Sequence, residues 1–388
     1  MFIKVYKEEI IDGLQKSANL IPQRTGAAYL RSIWIRAENE KIEIMSTDSN
    51  IEFRGSYAAQ VIESGLIGVP GRQFVELLRK LPAGQLSLKV EAGKGDAASS
   101  VLHIEQGRRK YRMAVNDSTW FQNFADFPED GAVIWAGDFL QELIDRIAYC
   151  IGDDGSDALS CFFMKPGVLG RIEAAGMTGH QFAMRSFTNG DLSSLLPDEG
   201  ILIQKKYLLE MKKWLADDEI EINIGDKRLF VRRADHSESL SLPLAFHQYP
   251  DYTIFVAGLK SDDVSKLNIA REDAVNSLER IAVFNTDNNA CAYFDLSEKE
   301  AVITAQGHDV GSASESLDVE YSGGLAKIAF PTNNLLGIMD HFKSQELTLT
   351  MTGPQGPCGV SGKDDSDYLV IVMPMAILEE KSSSEEEI

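Results

Sequence analysis

Val69-Pro70-Gly71-Arg72-Gln73-Phe74-Val75-Glu76-Leu77-Leu78-Arg79-Lys80-Leu81 is followed by Leu86, Leu88 and Val90 at every second position. The apolar spacing is helical at first and then switches to a period of two, which predicts an amphipathic helix running into a half-buried strand. The same unit returns twice. Ile203-Gln204-Lys205-Lys206-Tyr207-Leu208-Leu209-Glu210-Met211-Lys212-Lys213-Trp214-Leu215 precedes Ile220, Ile222 and Ile224, and Phe330-Pro331-Thr332-Asn333-Asn334-Leu335-Leu336-Gly337-Ile338-Met339-Asp340-His341-Phe342 precedes Leu347, Leu349 and Met351. The copies stand about 130 residues apart, far beyond the roughly 20–50 residues of a solenoid repeat. They mark three similar α+β domains.

A second helical unit keeps the same period. Ile10 to Ala18, Leu140 to Ala148 and Ala274 to Ala282 carry apolar residues at i, i+3 or i+4, and each holds one base at the matching place: Lys16, Arg146 and Arg280. The joins are alike as well, with Phe124-Ala125-Asp126-Phe127-Pro128 and Phe246-His247-Gln248-Tyr249-Pro250 where one copy gives way to the next. Proline fixes φ there and extends the residue before it, as a stiff connector requires. The expected domains are 1–126, 127–255 and 256–377. The polar, acidic tail 378–388 has nothing to bury and is expected to be disordered.

With 44% hydrophobic and 25% charged residues among 388, the composition is that of an ordinary soluble globular protein. Met1-Phe2-Ile3-Lys4-Val5-Tyr6-Lys7-Glu8-Glu9 has charges where a signal peptide needs an apolar run. The stretch Tyr368 to Leu378 is too short for a membrane span. A cytoplasmic location away from membranes is expected. Cys150, Cys161, Cys291 and Cys358 are scattered without a Cys-x-x-Cys pair, and the six histidines form no His-x-x-x-His pair. Reduced structural thiols and no metal or cofactor are expected. Phosphate-loop and nucleophile-elbow motifs are absent from the sequence.

The net charge of −21 argues at first against nucleic acid, since nonspecific DNA affinity comes from bases that release counterions. Its distribution argues otherwise. Lys205, Lys206, Lys212 and Lys213 outnumber Glu210 in the second copy, and Arg72, Arg79 and Lys80 outnumber Glu76 in the first. A solvated helix face would account for either cluster alone, but recurrence at one place in two repeats points to a surface for a polyanion. The third copy sets Asp340 against Lys343 and has no such cluster.

Four stretches together resemble the β subunit of bacterial DNA polymerase III, the replication sliding clamp. They are Thr47-Asp48 with Ile51-Glu52, Val69-Pro70-Gly71-Arg72-Gln73-Phe74, Tyr249-Pro250-Asp251-Tyr252, and Tyr368-Leu369-Val370-Ile371-Val372-Met373-Pro374-Met375. The resemblance covers about residues 1–377. It implies three repeats of a DNA-clamp fold, two helices packed on antiparallel sheets in each, assembled head to tail as a ring-forming homodimer. Double-stranded DNA would pass through the ring without base contacts, facing Arg24, Arg72, Arg79, Lys80, Lys205, Lys206, Lys212 and Lys213, with Lys16, Arg146 and Arg280. The implied partners are the replicative polymerase α subunit, the clamp loader and other proteins with a clamp-binding motif.

Matched position by position, the resemblance implies a partner-peptide pocket formed by Leu159, Met177, Gly179, His180, Phe182, Pro250, Phe255, Ile371, Val372, Met373, Pro374 and Met375. Methionine is adaptable and suits a surface that serves several partners in turn. The chain departs from the family at Met177-Thr178-Gly179-His180-Gln181-Phe182, where an acid and an arginine are missing, and at Phe330-Pro331. An apolar cleft with a different rim is expected. Tyr111 and Met113 against Val283 and Phe284 are the expected closing contacts of the ring. Two other functions compete: a hydrolase using Asp48, His180 and Asp251, which turn chemistry explains better, and an acidic protein-binding scaffold that does not encircle DNA.

Overall fold

The computed structural model describes residues 1–22, 27–92, 100–153, 155, 157–286, 290–307 and 310–377. Its helices are Lys7–Leu20 (α1), Gly71–Lys80 (α2), Gly137–Ala148 (α3), Gly190–Leu195 (α4), Lys205–Trp214 (α5), Thr253–Gly258 (α6), Arg271–Ala282 (α7) and Thr332–Asp340 (α8). Each helix expected from the change of period is present and leads into its strand: α2 into Gln85–Glu91, α5 into Glu219–Ile224 and α8 into Glu346–Met351. Leu86 and Leu88, Ile220 and Ile222, and Leu347, Leu349 and Met351 are buried, as alternation requires. Proline stands at the N-cap of both α2 (Pro70) and α8 (Pro331). Arg79 and Lys80 end α2, and Lys212 and Lys213 end α5, where cations oppose the helix dipole.

The chain divides into two compact units. The first contains 1–144, 194–197 and 206–245, and the second 145–193, 198–205 and 246–388. The middle stretch 127–255 is therefore shared between them.

The first unit holds two antiparallel sheets. One has five strands in the order Gln60–Glu63, Phe2–Tyr6, Gln85–Glu91, Val101–Gln106 and Arg109–Ala114. The other has eight, running from Val133–Ala136 through Glu219–Ile224, Arg228–Arg233, Glu238–Pro243, Glu52–Ala58, Lys41–Thr47 and Ser32–Glu38 to Gly65–Pro70. Helices α1 and α2 pack together, with Ile10, Leu14, Phe74 and Leu78 set into a core with Ile44, Leu86 and Leu88. Gly71 is required at the start of α2, because a Cβ there would meet Ile21 Cδ1 at 2.5 Å.

The second unit holds a twelve-stranded sheet that runs from Ile201–Gln204 to Lys327–Pro331. Its core gathers Leu278 and Ile281 of α7 with Leu335, Ile338 and Met339 of α8.

Both large sheets cross from one sequence repeat to the next by the same device. In the first unit Glu238–Pro243 pairs antiparallel with Glu52–Ala58, matching Glu238 with Gly55 and Ser241 with Glu52. In the second, Tyr368–Val372 pairs with Gln181–Thr188, matching Tyr368 with Arg185 and Val372 with Gln181. Each ladder is extended by one further bond, Ser56 N to Ser237 O at 2.7 Å and Ser186 N to Asp367 O at 2.8 Å. The last strand of a repeat thus docks on the strand that follows the first hairpin of the repeat before it.

Candidate DNA-facing and partner-binding surfaces

The basic side chains expected to face DNA fall into three groups. Arg72, Arg79 and Lys80 are exposed on α2 and line a groove of about 680 Å³ with Gln15 and Asn19 of α1. Arg72 donates to Ile21 O at 3.0 Å, and Lys80 meets Glu76 one turn back at 2.8 Å. On α5, Lys206 and Lys213 are exposed; Lys206 lies 4.5 Å from the centroid of the Tyr207 ring and Lys213 pairs with Glu210 at 2.7 Å. Lys212 is half-buried. Lys205 is held by Ile151 O and Asp153, both at 2.8 Å.

In the third group, the bases at the tenth position of α1, α3 and α7, the expectation for Arg146 requires a correction. Arg146 is 5% exposed and pairs with Asp365 at 2.8 Å. A guanidinium sealed against a buried carboxylate cannot reach a solvated phosphate. Lys16 donates to both Glu238 oxygens, at 3.0 and 2.8 Å, and also meets Asp12 at 2.6 Å. Glu238 further accepts from Tyr57 Oη at 2.8 Å and Trp214 Nε1 at 3.0 Å. Burial and the Glu238 charge raise the Tyr57 hydroxyl above its ordinary value, so it remains a donor. Gly13 in α1 leaves the space in which the Tyr57 ring lies. Arg280 is exposed but held by Glu315 through two bonds of 2.8 and 2.6 Å. Arg24 and the tail 378–388 lie outside the described residues.

Asp365 is built into its place more firmly than any sequence signal suggested. Burial alone would raise its carboxyl. The Ser344 hydroxyl and N–H, with the Arg146 guanidinium, outweigh this and hold it below the usual carboxylate range. Its Oδ2 accepts from Lys343 N, Ser344 N and Ser344 Oγ at 2.9, 2.8 and 2.6 Å. Sequence reading missed Asp365 and Glu238 because each stands over two hundred positions from the base it meets.

The residues expected to bind partner peptides converge within the second unit. The pairing of Met177 with Phe182 and of Phe182 with Ile371 places these three across adjacent strands. The Phe182 and Tyr252 rings stand 4.9 Å apart, which brings in the segment of Pro250 and Phe255. Met373 N donates to His180 O at 2.9 Å, and Met375 N to Ala329 O at 2.8 Å. Leu159 lies in the short turn Ala158–Ser160, which contacts the Arg171–Met177 strand.

Their exposure separates floor from surface. Met177, Phe182 and Ile371 are 5–7% exposed and Val372 is fully covered, so Val372 is a core residue and the other three form a floor. Gly179, His180, Phe255 and Met375 are open, and Leu159, Met373 and Pro374 are half-buried. The expected apolar cleft thus has a covered floor and an open rim in which two methionines flank a proline.

The expected ring-closing residues lie on an edge strand, for Tyr111 and Met113, and in the turn after α7, for Val283 and Phe284. Tyr111 and Met113 are half-buried against the core of the first unit, on the outermost strand of the five-stranded sheet. Val283 is 73% exposed, whereas Phe284 packs on the second unit's core. The edge strand presents Arg109, Lys110 and Arg112 to solvent. Gly311–Ser322 carries Glu315, Asp318 and Glu320.

The two carboxylates weighed for a hydrolase are engaged by their own turns. Asp48 accepts from Asn50 N and Ile51 N at 2.8 Å, and Asp251 from Thr253 N and Oγ1 at 2.9 and 2.6 Å. Both carboxylates are turn caps. Burial pushes the Cys150 thiol up to about 12 and raises Cys358 further. Among the described residues no group of three or more His, Cys, Asp or Glu could hold a metal ion, and no helix is long and apolar enough to cross a membrane.

Comparison with known proteins gives one family throughout. Models of the N-terminal and C-terminal domains of the DNA polymerase III beta subunit match residues 1–119 and 261–376, together more than half of the chain. The Beta sliding clamp of Chlamydia muridarum is 23% identical over 96% of this chain and 98% of its own length, and that of Pseudomonas aeruginosa 22% identical over 97% and 100%. Among solved structures, the DNA polymerase III subunit beta from Pseudomonas aeruginosa superposes with a TM-score of 0.85 at 21% identity. A beta sliding clamp from Caulobacter crescentus does so with 0.88 at 18%. Each covers 97% of this chain and is itself covered completely. Sheets that pass from repeat to repeat, helices in matched pairs and two domain models at the two ends agree: this chain belongs to the DNA polymerase III beta-subunit family, the sliding clamps.

Proposed function

We propose that the protein is a sliding clamp: two chains close into a ring around duplex DNA and tether the replicative polymerase for processive synthesis. Three domains, 1–126, 127–255 and 256–377, repeat one fold in each chain. The observation that carries the ring is the pair of strand edges left unfilled. Two joints between repeats are made by a last strand docking on the strand after a first hairpin. The last strand of the first repeat, Arg109–Ala114, ends its sheet and pairs with no further strand among the described residues. The matching strand of the third repeat, Gly311–Ser322, pairs with Glu300–Gly307 on one side and with Ser265–Ala270 only through residues 319–322 on the other. A second copy of the chain supplies what each edge lacks, and a head-to-tail contact used twice closes. The basic edge, with Arg109, Lys110 and Arg112, suits the acidic one, with Glu315 and Asp318.

In this reading Arg72, Arg79, Lys80, Lys206 and Lys213 supply the inner field, with smaller contributions from Lys205 and Lys212. They lie within about a Debye length, roughly 8–10 Å, of the phosphates, while the acidic body is farther away and screened. Few, water-bridged phosphate contacts favour DNA without pinning the ring to it. The patch of Leu159, His180, Phe255, Met373, Pro374 and Met375 holds the polymerase α subunit, the clamp loader and other clamp-binding partners in turn. The clamp performs no chemistry of its own and acts in the cytoplasm. Its effect is to keep the enzyme at high effective concentration near the template end.

Light scattering over a dilution series tests the ring. A mass of twice 42.9 kDa that persists on dilution is the expected result. A stable monomer would leave the acidic protein-binding scaffold in its place.

A further inference from the structure

We infer that the joint between two copies of this chain is able to open because its charge pair stays within one protomer, whereas each joint inside the chain is locked by a buried pair that crosses it. The inference rests on the two-chain ring proposed above. The tenth residue of the first helix in each repeat is a base: Lys16 in α1, Arg146 in α3 and Arg280 in α7. In the first two repeats that base meets an acid supplied by the following repeat, at the approach to the incoming strand. Glu238 is the first residue of Glu238–Pro243, and Asp365 stands just ahead of Tyr368–Val372. Both acids are buried, 5% and 2% exposed. Pulling the second strand away would part Arg146 from its buried carboxylate, and pulling the first would leave Lys16 only the exposed Asp12 and Glu238 only Arg233 and Trp214 of its own repeat.

The third repeat reverses the arrangement. Arg280 makes its two bonds to Glu315, which sits on the receiving strand of its own repeat. The strand that a second copy would bring, Arg109–Ala114, is preceded by Gln106, Gly107 and Arg108 and begins with Arg109. It offers no acid where Glu238 and Asp365 stand in the other joints. Arg280 and Glu315 are also open to water, with side chains 60% and 26% exposed. Separation of the copies therefore leaves this pair intact, and the charges that it parts, Arg109, Lys110 and Arg112 from Asp318, stand on solvated edges. The location of one acid, across the joint or on the near side of it, divides permanent joints from the one that a loader can part.

Moving the acid tests this. The double variant Arg109→Glu with Glu315→Ala places it on the incoming strand, as in the two internal joints. Exchange of donor-labelled and acceptor-labelled subunits, followed by energy transfer, reads how often the joint opens. The expected result is exchange at least tenfold slower than in the unaltered protein, with Glu315→Ala alone faster, because Arg280 then faces Arg109 without an acid. Arg109→Lys with Glu315→Gln moves no acid and is expected to exchange no more slowly than the unaltered protein. A dimer whose double variant exchanges at the original rate, or whose control variant slows as much, would overturn the inference while leaving the ring standing. An unaltered chain that never dimerises would overturn both.

Discussion

Asp365, 2% exposed, accepts from four donors: the Arg146 guanidinium, the Ser344 hydroxyl, and the N–H groups of Lys343 and Ser344. Removing one partner of such a pair leaves the other charge uncompensated, which costs on the order of 3–5 kcal/mol. Arg146→Ala is therefore expected to lower the urea midpoint by that equivalent, and Arg280→Ala to leave it unchanged, since Arg280 is solvated. The two residues occupy the same helical position, so the comparison isolates burial from sequence context. Asp365 also sets an acid limit. Its native carboxyl takes up a proton less readily than the unfolded one. Its contribution is complete above the ordinary carboxylate value of about 3.9 and is lost as pH falls below that through the lower native value. Asp365→Asn should flatten the fall in stability below about pH 4; an unchanged acid limb in urea titrations would contradict this.

Helices α2 and α5 carry the exposed bases, and their sequence patterns foretold both the helices and the strands after them. The change of period at Leu81 and at Leu215 is a local property, set by which side chains can share a face, and so it is readable from one segment alone. The same logic does not see that Arg146 is buried or that Lys16 is engaged by Glu238. Three bases at one helical position look like a common DNA face until their partners are known, and the buried partners of Lys16 and Arg146 sit in the next repeat. Val372 was misassigned for a related reason: alternation marks a strand face as apolar, but only the neighbouring strands decide whether that face is open. DNA binding separates the groups. Neutralising Arg79, Lys80, Lys206 and Lys213 together should reduce the slope of log K against log salt by up to about 0.9 for each phosphate that the protein no longer neutralises, whereas Lys16→Ala should leave it unchanged. At the partner patch, Met375 is 44% exposed between Pro374 and the end of the described chain. Met375→Asp should weaken a synthetic clamp-binding peptide at least tenfold, about 1.4 kcal/mol, in a fluorescence polarisation titration. Equal binding would remove Met375 from the patch.

At the scale of the whole molecule, a body of net charge −21 would be held on a polyanion mainly by enclosure, with only local attraction from the basic faces of α2 and α5. On the proposed reading, the edges at Arg109–Ala114 and Gly311–Ser322 would supply the means of closure, and the pairs at the two internal joints would hold the repeats of each chain together while the outer joints part. Retention on DNA tests this most directly. The labelled protein is loaded on a nicked circle by its own clamp loader with ATP, separated from free protein by gel filtration, and the circle is then cut once with a restriction enzyme. The account predicts that the protein stays with the intact circle through high-salt washing and is released within minutes of the cut. Equal retention on cut and uncut DNA, or loss from both at the first rise in salt, would mean that the chain binds DNA by contact and does not encircle it.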